Sequence, residues 1–363
     1  MAEVITVVGG GIIGLTTAFE LTERGQRVRV YDPTPGERGT GASYFAGGML
    51  APIAEVQFQQ DALFPLMVAS ADAYPSLMRR LSAVTDAPTG YDTTGTLVVA
   101  GDRADAAHLR DVSEYYRSLN RSAEAIPVSR ARALEPALAP DLAGAALIEG
   151  DHQVSPRLFM QALVKALKAR GVEFVRERVT DPDFGDIVCT GLGAAGQYPL
   201  RPVYGDILRL QTPHPLVEHV VRGFVNGRPV YVIPRPGGEV CIGATSREDT
   251  RTRPGVDGVY QLLKDAIRVV PAVEECELIE SNVGVRPGTP DDLPIFGDRT
   301  TATGRRQLIS NGYFRHGILL AALAGKAGAE VFLGGDIPPE FAPCSPKRSE
   351  ERRVGKECRI GCR

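Results

Sequence analysis

The chain has no surplus of positive charge. Its 363 residues carry 41 Lys and Arg against 44 Asp and Glu, a formal net charge of −3. A nucleic acid or an anionic membrane surface calls for a basic patch, so neither is expected as a partner. No run of about 18 apolar residues occurs, which argues against a membrane-spanning helix. There is no CxxC pair, no zinc or calcium ligand spacing and no GxSxG motif. Metal centres and serine-hydrolase chemistry therefore lack a sequence basis. The start, MAEVITVVGGGIIGL, has no basic segment and is broken by three glycines, so it does not read as a signal peptide. A cytoplasmic location is expected.

What is present is globular: 43% hydrophobic and 23% charged residues, enough for one large or two medium domains. The 40 glycines point to many turns and close backbone approaches. The C-terminal stretch Arg348–Arg363 has no apolar period and holds six basic and three acidic residues. Arg348–Cys358 also matches the translation of a common sequencing adapter, so 348–363 is expected to be a non-native tail rather than a genuine basic tail. Setting it aside leaves Cys189, Cys241, Cys276 and Cys344, too scattered for a disulfide framework.

Val4–Val8 reads as a strand, Gly9–Gly11 as a turn, and Ile12 to about Arg24 as a helix with apolar residues at helical spacing. Gly25 stops it, and Val28–Tyr31 follows as a second strand ending at Asp32. This βαβ unit carries Gly9-x-Gly11-x-x-Gly14, with an acid 18 residues after the last glycine. Gly9 permits the tight turn, Gly11 the approach of a pyrophosphate, and Gly14 close helix–strand packing. The N–H groups of Ile12 and Ile13 at the helix start favour a diphosphate. Asp32 suits a ribose hydroxyl and would repel a 2′-phosphate. A second unit of similar texture spans Ser155 to Cys189, with a helix from Pro156 stopped by Gly171. Thr96–Ala100, Ile207–Leu210, Tyr231–Pro234 and Val240–Gly243 are short and turn-bounded, suggesting a mixed or antiparallel sheet. Val259–Val270 reads as an amphipathic helix and Gly317–Leu333 as a buried one.

FAD and NAD share this fingerprint. Two further segments favour FAD. Residues 41–52, GASYFAGGMLAP, combine small Ala42 and Ser43 with Gly47, Gly48 and flexible Met49, against which a ring system can lie. Gly312–Gly317 is a turn opening the last helix, whose N–H groups can face a flavin edge that gains negative charge on reduction.

GGGIIG, GGMLAP at 47–52, LEPALAP at 134–140, DHQVSPR at 151–157, VYVIP at 230–234, IGAT at 242–245, GVRPGTPDDLPIFG at 284–297 and GYFRHGILLA at 312–321 together resemble the D-amino-acid-oxidase-like flavoproteins. Within them the likeness is greatest to the glycine oxidases of bacterial thiamine biosynthesis, and it spans residue 4 to about 340. The resemblance implies an α/β (α+β) fold with a Rossmann-like FAD-binding domain and a second, mixed or antiparallel-sheet substrate domain. The expected division is 1–85, 145–205 and 282–340 for FAD, with 86–144 and 206–281 for substrate. It implies non-covalent FAD held by Ile12, Ile13, Asp32, Pro33, Ala42, Ser43, Gly47, Gly48, Met49, the backbone of Val179, and Tyr313, Phe314, Arg315, His316, Gly317, Ile318 and Leu319. It further implies Arg286 as the grip on a substrate carboxylate, Tyr231 as an assisting hydroxyl, and the main chain of Arg315 beside the substrate amine.

The implied reaction moves a hydride from the α-carbon of glycine or another small amine to flavin N5, with dioxygen yielding hydrogen peroxide. An Arg fork suits a carboxylate clamp because it offers two parallel hydrogen bonds. No side-chain base is required, and His152 and His316 are left without a role. Asp291-Asp292 reads as a solvated turn. Ser246 stands where Met is frequent in the glycine oxidases, Ser155 where Asp is, Asn311 where His is, and Gly47 where Ala is. D-amino-acid or sarcosine oxidation, or electron transfer to a carrier, remain alternatives. So do, more distantly, an NAD-dependent dehydrogenase and a nucleotide binder without catalysis. A homo-oligomer is possible by analogy with relatives.

Overall fold

Apolar β-branched runs at both ends of the chain meet in a six-stranded sheet. Its order is Ile295–Thr300, Arg306–Asn311, Ile187–Val188, Ile5–Val8, Val28–Tyr31, Glu173–Val175. Neighbours are parallel except for the edge hairpin 295–311. The computed structural model describes residues 3–39, 41–58, 60–121 and 123–348. Val7, Val30 and Ile187 are fully buried in the centre of this sheet, as strands covered on both faces require. The helices Ile12–Glu23 and Gly317–Phe332 pack together so closely that a Cβ on Gly325 would lie 2.8 Å from Thr16 Cβ.

The second sheet has eight strands in the order Glu277–Gly288, Arg201–Gln211, Glu239–Gly243, Arg228–Pro234, Val220–Val225, Thr96–Ala100, Gly144–Ile148, Glu124–Ile126. Strand alternation gives it two different faces. Leu208, Leu210, Val230, Val232, Val240 and Ile242 share a dry core with Leu262, Ala266 and Val269 of the helix Val256–Val269. On the opposite face Ile207, Val220, Ile233 and Cys241 pack with Phe45, Met49 and Tyr231. The segment expected to meet the flavin is thus pressed against that second face.

Three of the expected boundaries fall inside strands. Gly144–Ile148, Arg201–Gln211 and Glu277–Gly288 all run in the eight-stranded sheet, so 145, 205 and 282 do not mark changes of sheet. Two long helices were not read from the sequence. Phe64–Ser82 continues through Pro75, and Arg103–Ser118 begins where the Asp102 carboxylate accepts from Asp105 N at 2.9 Å. The Asp291-Asp292 turn is not simply solvated. Asp291 pairs with Arg348 at 2.7 Å and Asp292 with Arg201 at 2.5 Å. Arg348, expected to open a loose tail, also reaches the carbonyls of Leu293 and Pro294. Residues 349–363 lie outside the described residues.

Candidate active site

The glycine crook forms as its spacing requires. Gly9 has φ +108°, and a Cβ on Gly14 would enter the shell of Gly9 O. Gly11 differs from both: an added Cβ would meet only Ser43 Oγ, at 3.4 Å. Its Cα therefore faces open space at the helix N-terminus, the room a diphosphate needs. Asp32 holds the crook together, accepting from Gly10 N at 2.8 Å and Thr34 N at 2.7 Å. Pro33 sits between those two contacts. One expectation is corrected here. Ile12 N–H is not free but donates to Ser43 Oγ at 3.1 Å, because the turn Ala42–Phe45 folds over the helix start. Ile13 is buried in the next position of the same turn. Val179 lies four residues beyond the strand Glu173–Val175, whose last carbonyl accepts from Asp32 N.

Gly47 and Gly48 serve packing within the chain. A Cβ on Gly47 would lie 3.0 Å from the Tyr231 hydroxyl, and Gly48, at φ +83°, lies against Pro156. Arg235, buried on the sheet face, donates to Gly47 O, to Val154 O at 2.9 Å and to Gln153 Oε1 at 3.0 Å. It ties the Gly47–Met49 segment to the two-stranded ladder of Met49–Leu50 with His152–Gln153. Asp151, fully buried, accepts from Ile53 N at 3.1 Å and Ala54 N at 2.6 Å. Burial pushes its carboxyl up to about 7.

The turn before the last helix is anchored from two sides. Phe314 N donates to Pro287 O at 3.2 Å, linking the turn to the strand of Arg286. Tyr313 is buried with its hydroxyl 2.8 Å from Ser310 Oγ. Ser70 inserts into the first turn of the helix that Gly317 opens: its hydroxyl donates to Leu319 O at 2.6 Å and accepts from Leu323 N at 3.0 Å. Tyr74 donates to Ile318 O. His316 is buried, and among the described residues its Nε2 has no hydrogen-bond partner. Burial, together with Arg315, Arg222 and Arg286, drives its imidazole down to about 3, so it is neutral.

Arg286, Tyr231 and Arg222 lie on the second face of the eight-stranded sheet. Arg222 stands opposite Tyr231 in register, and Tyr231 stands opposite Gly243. The Arg286 guanidinium lies over Gly205, where a Cβ would fall 2.5 Å from Nη1. Its Nη1 donates to Thr245 O at 3.3 Å. Thr245 is held in turn by Asp206, whose Oδ2 accepts from Thr245 Oγ1 at 2.7 Å. Burial raises the Tyr231 phenol above its ordinary range and lowers Arg286, so the phenol keeps its proton and remains a donor. Arg315 turns its side chain to Glu55 Oε2 at 3.2 Å, while Glu55 Oε1 is paired with Arg222.

Sequence reasoning missed Glu55, Arg222, Arg235, Asp206, Ser70 and Gly205. A charged residue breaking an apolar strand, as Arg222 does in VVRGFV, was the available signal. Of the departures noted, Ser246 is exposed, and Ser155 makes no side-chain cap bond. Asn311 is buried and donates to Gly191 O at 3.1 Å.

A largely parallel sheet with a glycine crook at its first strand, and an arginine-bearing second sheet packed on a small-residue segment, are the parts of a nucleotide-dependent oxidoreductase of the flavoprotein class, and the family match gives that class. The chain belongs to the DAO family, whose model, described as FAD dependent oxidoreductase, matches residues 5–331. FAD is its cofactor. The chain is 31% identical to a glycine oxidase of Geobacillus kaustophilus, over 95% of this chain and 96% of that one. It is 35% identical to ThiO of Rhizobium etli, an oxidoreductase assigned to thiamine biosynthesis, over 90% and 96%. The crystal structure of glycine oxidase from Geobacillus kaustophilus superposes with a TM-score of 0.83 at 30% identity, covering 94% of this chain and 97% of that one. No described helix is long and apolar enough to cross a membrane.

Proposed function

We propose that this chain oxidises glycine or another small amino acid at the face formed by Arg286, Tyr231 and Arg315. One observation carries the reading. Arg286 and Tyr231 occupy one face of one sheet, and Gly47 of the small-residue segment packs against the Tyr231 hydroxyl. FAD binding falls to Gly9, Gly11, Ile12, Ile13 and Gly14 at the diphosphate, and to Asp32, Pro33 and Val179 at the adenosine. Ala42, Ser43, Gly47–Met49 and Tyr313–Leu319 would hold the ring. The Ser43 hydroxyl, already accepting from Ile12 N, keeps its own hydrogen to donate to a phosphate.

When bound, FAD supplies the hydride acceptor. The chain's residues supply orientation. Arg286 offers a fork to the substrate carboxylate, fixed over Gly205 and by the Thr245 carbonyl. Tyr231 donates a hydroxyl hydrogen to the same carboxylate. The main chain of Arg315 would lie beside the substrate amine. His316, whose imidazole is lowered to about 3 by burial and the neighbouring arginines, is neutral at neutral pH. Substrate arrives with a neutral amine, whose lone pair drives hydride loss from the α-carbon.

Glycine, dioxygen and water then give glyoxylate, ammonia and hydrogen peroxide. A relative in Trichormus variabilis, 29% identical over 92% of this chain and 53% of its own length, is the bifunctional protein ThiO/ThiG. It supports a role in thiamine biosynthesis, with the imine as the useful product. Product analysis tests the reading. One glyoxylate, one ammonia and one peroxide are expected per glycine consumed. Flavin reduction by glycine without peroxide would make the chain a dehydrogenase, and no reduction by any small amino acid would overturn the proposal.

A further inference from the structure

Three guanidinium groups converge on the candidate site, and one buried carboxylate answers two of them. Arg222 is 6% exposed and projects from the same face as Tyr231, its direct cross-strand neighbour. Arg315 comes from the turn before the last helix. Glu55 divides its oxygens between them, Oε1 to Arg222 and Oε2 to Arg315 at 3.2 Å. Arg286, the third, donates to the Thr245 carbonyl at 3.3 Å and, among the described residues, is in no carboxylate ion pair, which suits a group awaiting an external carboxylate.

Glu55 is not a chance surface charge. It is 9% exposed and comes from a tight turn, with Glu55 N donating to Ala51 O at 3.2 Å. The buried Asp151 carboxylate fixes the two preceding residues through Ile53 N and Ala54 N. The sequence therefore places a preorganised carboxylate against two arginines, beside the arginine meant for substrate. Arg222 is lowered to about 9, first by burial and then by Arg315, so it is still cationic at neutral pH.

We propose that Glu55 stands where a second substrate carboxylate would bind, so that the chain accepts monocarboxylate amino acids and rejects those with a second acid group. The inference rests on the amino-acid-oxidase reading above. Glu55 fills the Arg222–Arg315 pair and presents a like charge to any second acid, which sets specificity by repulsion as well as by occupancy. Without its charge, the two guanidinium groups become an anion subsite adjoining Arg286.

The test uses the FAD-loaded protein with two variants. Glu55→Gln removes the charge and keeps the shape; Glu55→Asp keeps the charge on a shorter stem. Malonate and succinate are titrated against acetate, following flavin absorbance changes or calorimetry. Iminodiacetate is compared with glycine as an anaerobic flavin reductant. In Glu55→Gln the preference for dicarboxylate over acetate is expected to rise at least about tenfold, and iminodiacetate to gain on glycine as a reductant. Glu55→Asp is expected to keep the wild-type preference.

Wild type reduced by glycine, with no gain for dianions in Glu55→Gln, would overturn the inference and leave the oxidase reading intact. Equal gains in the Gln and Asp variants would also overturn it, since shape rather than charge would then be responsible. Wild type reduced by no amino acid would overturn the oxidase reading, while the binding arm still decides the subsite. Should Glu55→Gln fail to fold, Arg222→Met serves instead. It deletes one of the two cations that offset Glu55, so the preference for malonate over acetate should fall at least about threefold; an unchanged or higher preference would overturn the inference.

Discussion

At the residue scale, the three glycines of the crook make different demands. A side chain on Gly14 collides with backbone, whereas one on Gly11 meets only the Ser43 hydroxyl. Gly11→Val should therefore yield a folded protein without flavin, and Gly14→Val a misfolded one. Thermal melting together with FAD content in the purified variants checks this; FAD retained by Gly11→Val would refute the phosphate role. Arg286 makes a similar separation possible. Arg286→Ala should retain FAD but raise the glycine concentration needed for half-reduction at least about 100-fold, because a charge-assisted bidentate pair is lost. Gly205 is the silent partner of this residue, since its missing side chain is what gives the guanidinium its place.

At the element scale, much was legible where pattern and punctuation agree. The strand–crook–helix start, the strand Thr96–Ala100 and the last helix follow from apolar spacing bounded by glycine. Phe64–Ser82 was hidden by Pro75, which ordinarily breaks a helix but here costs one backbone bond in a helix whose Leu66, Met67, Tyr74 and Leu77 are buried. Glu55 and Arg222 were hidden for another reason. They lie 167 positions apart, and their meeting depends on strand pairing that no local pattern encodes. The helix Phe64–Ser82 also steadies the start of the last helix through Ser70 and Tyr74. Ser70→Ala should cost about 1–2 kcal/mol of unfolding free energy and weaken FAD retention, while Ser70→Thr keeps the hydroxyl bridge. Urea unfolding with and without added FAD measures both.

At the scale of the whole molecule, buried Arg235 and half-buried Arg157 tie the eight-stranded sheet to the segments packed on it. Arg235 ties the eight-stranded sheet to Gly47 O. Arg157, from the helix Pro156–Ala169, reaches Glu280 at 2.7 Å and lies over the Tyr44 ring. Two buried groups give stability opposite dependences on pH. The Asp151 carboxyl, raised to about 7 from the ordinary carboxylate range, holds its proton longer when folded. It contributes stability at low pH that is lost as pH rises from about 4 to 7. His316, lowered to about 3 from 6.5, refuses a proton that the unfolded chain would take. It costs stability as pH falls below about 6.5. Relative to wild type, Asp151→Asn should thus improve as pH rises from 4 to 7, and His316→Asn as pH falls from 6.5 to 4, each by about 1 kcal/mol per unit, read from urea midpoints. The most direct test of the whole account is anaerobic titration of the yellow holoenzyme with glycine, followed by its absorbance near about 450 nm. Wild type should bleach completely, and Arg286→Ala, at equal FAD content, only at far higher glycine. A colourless protein indifferent to added FAD, or equal bleaching of the two proteins at every glycine concentration, would contradict it.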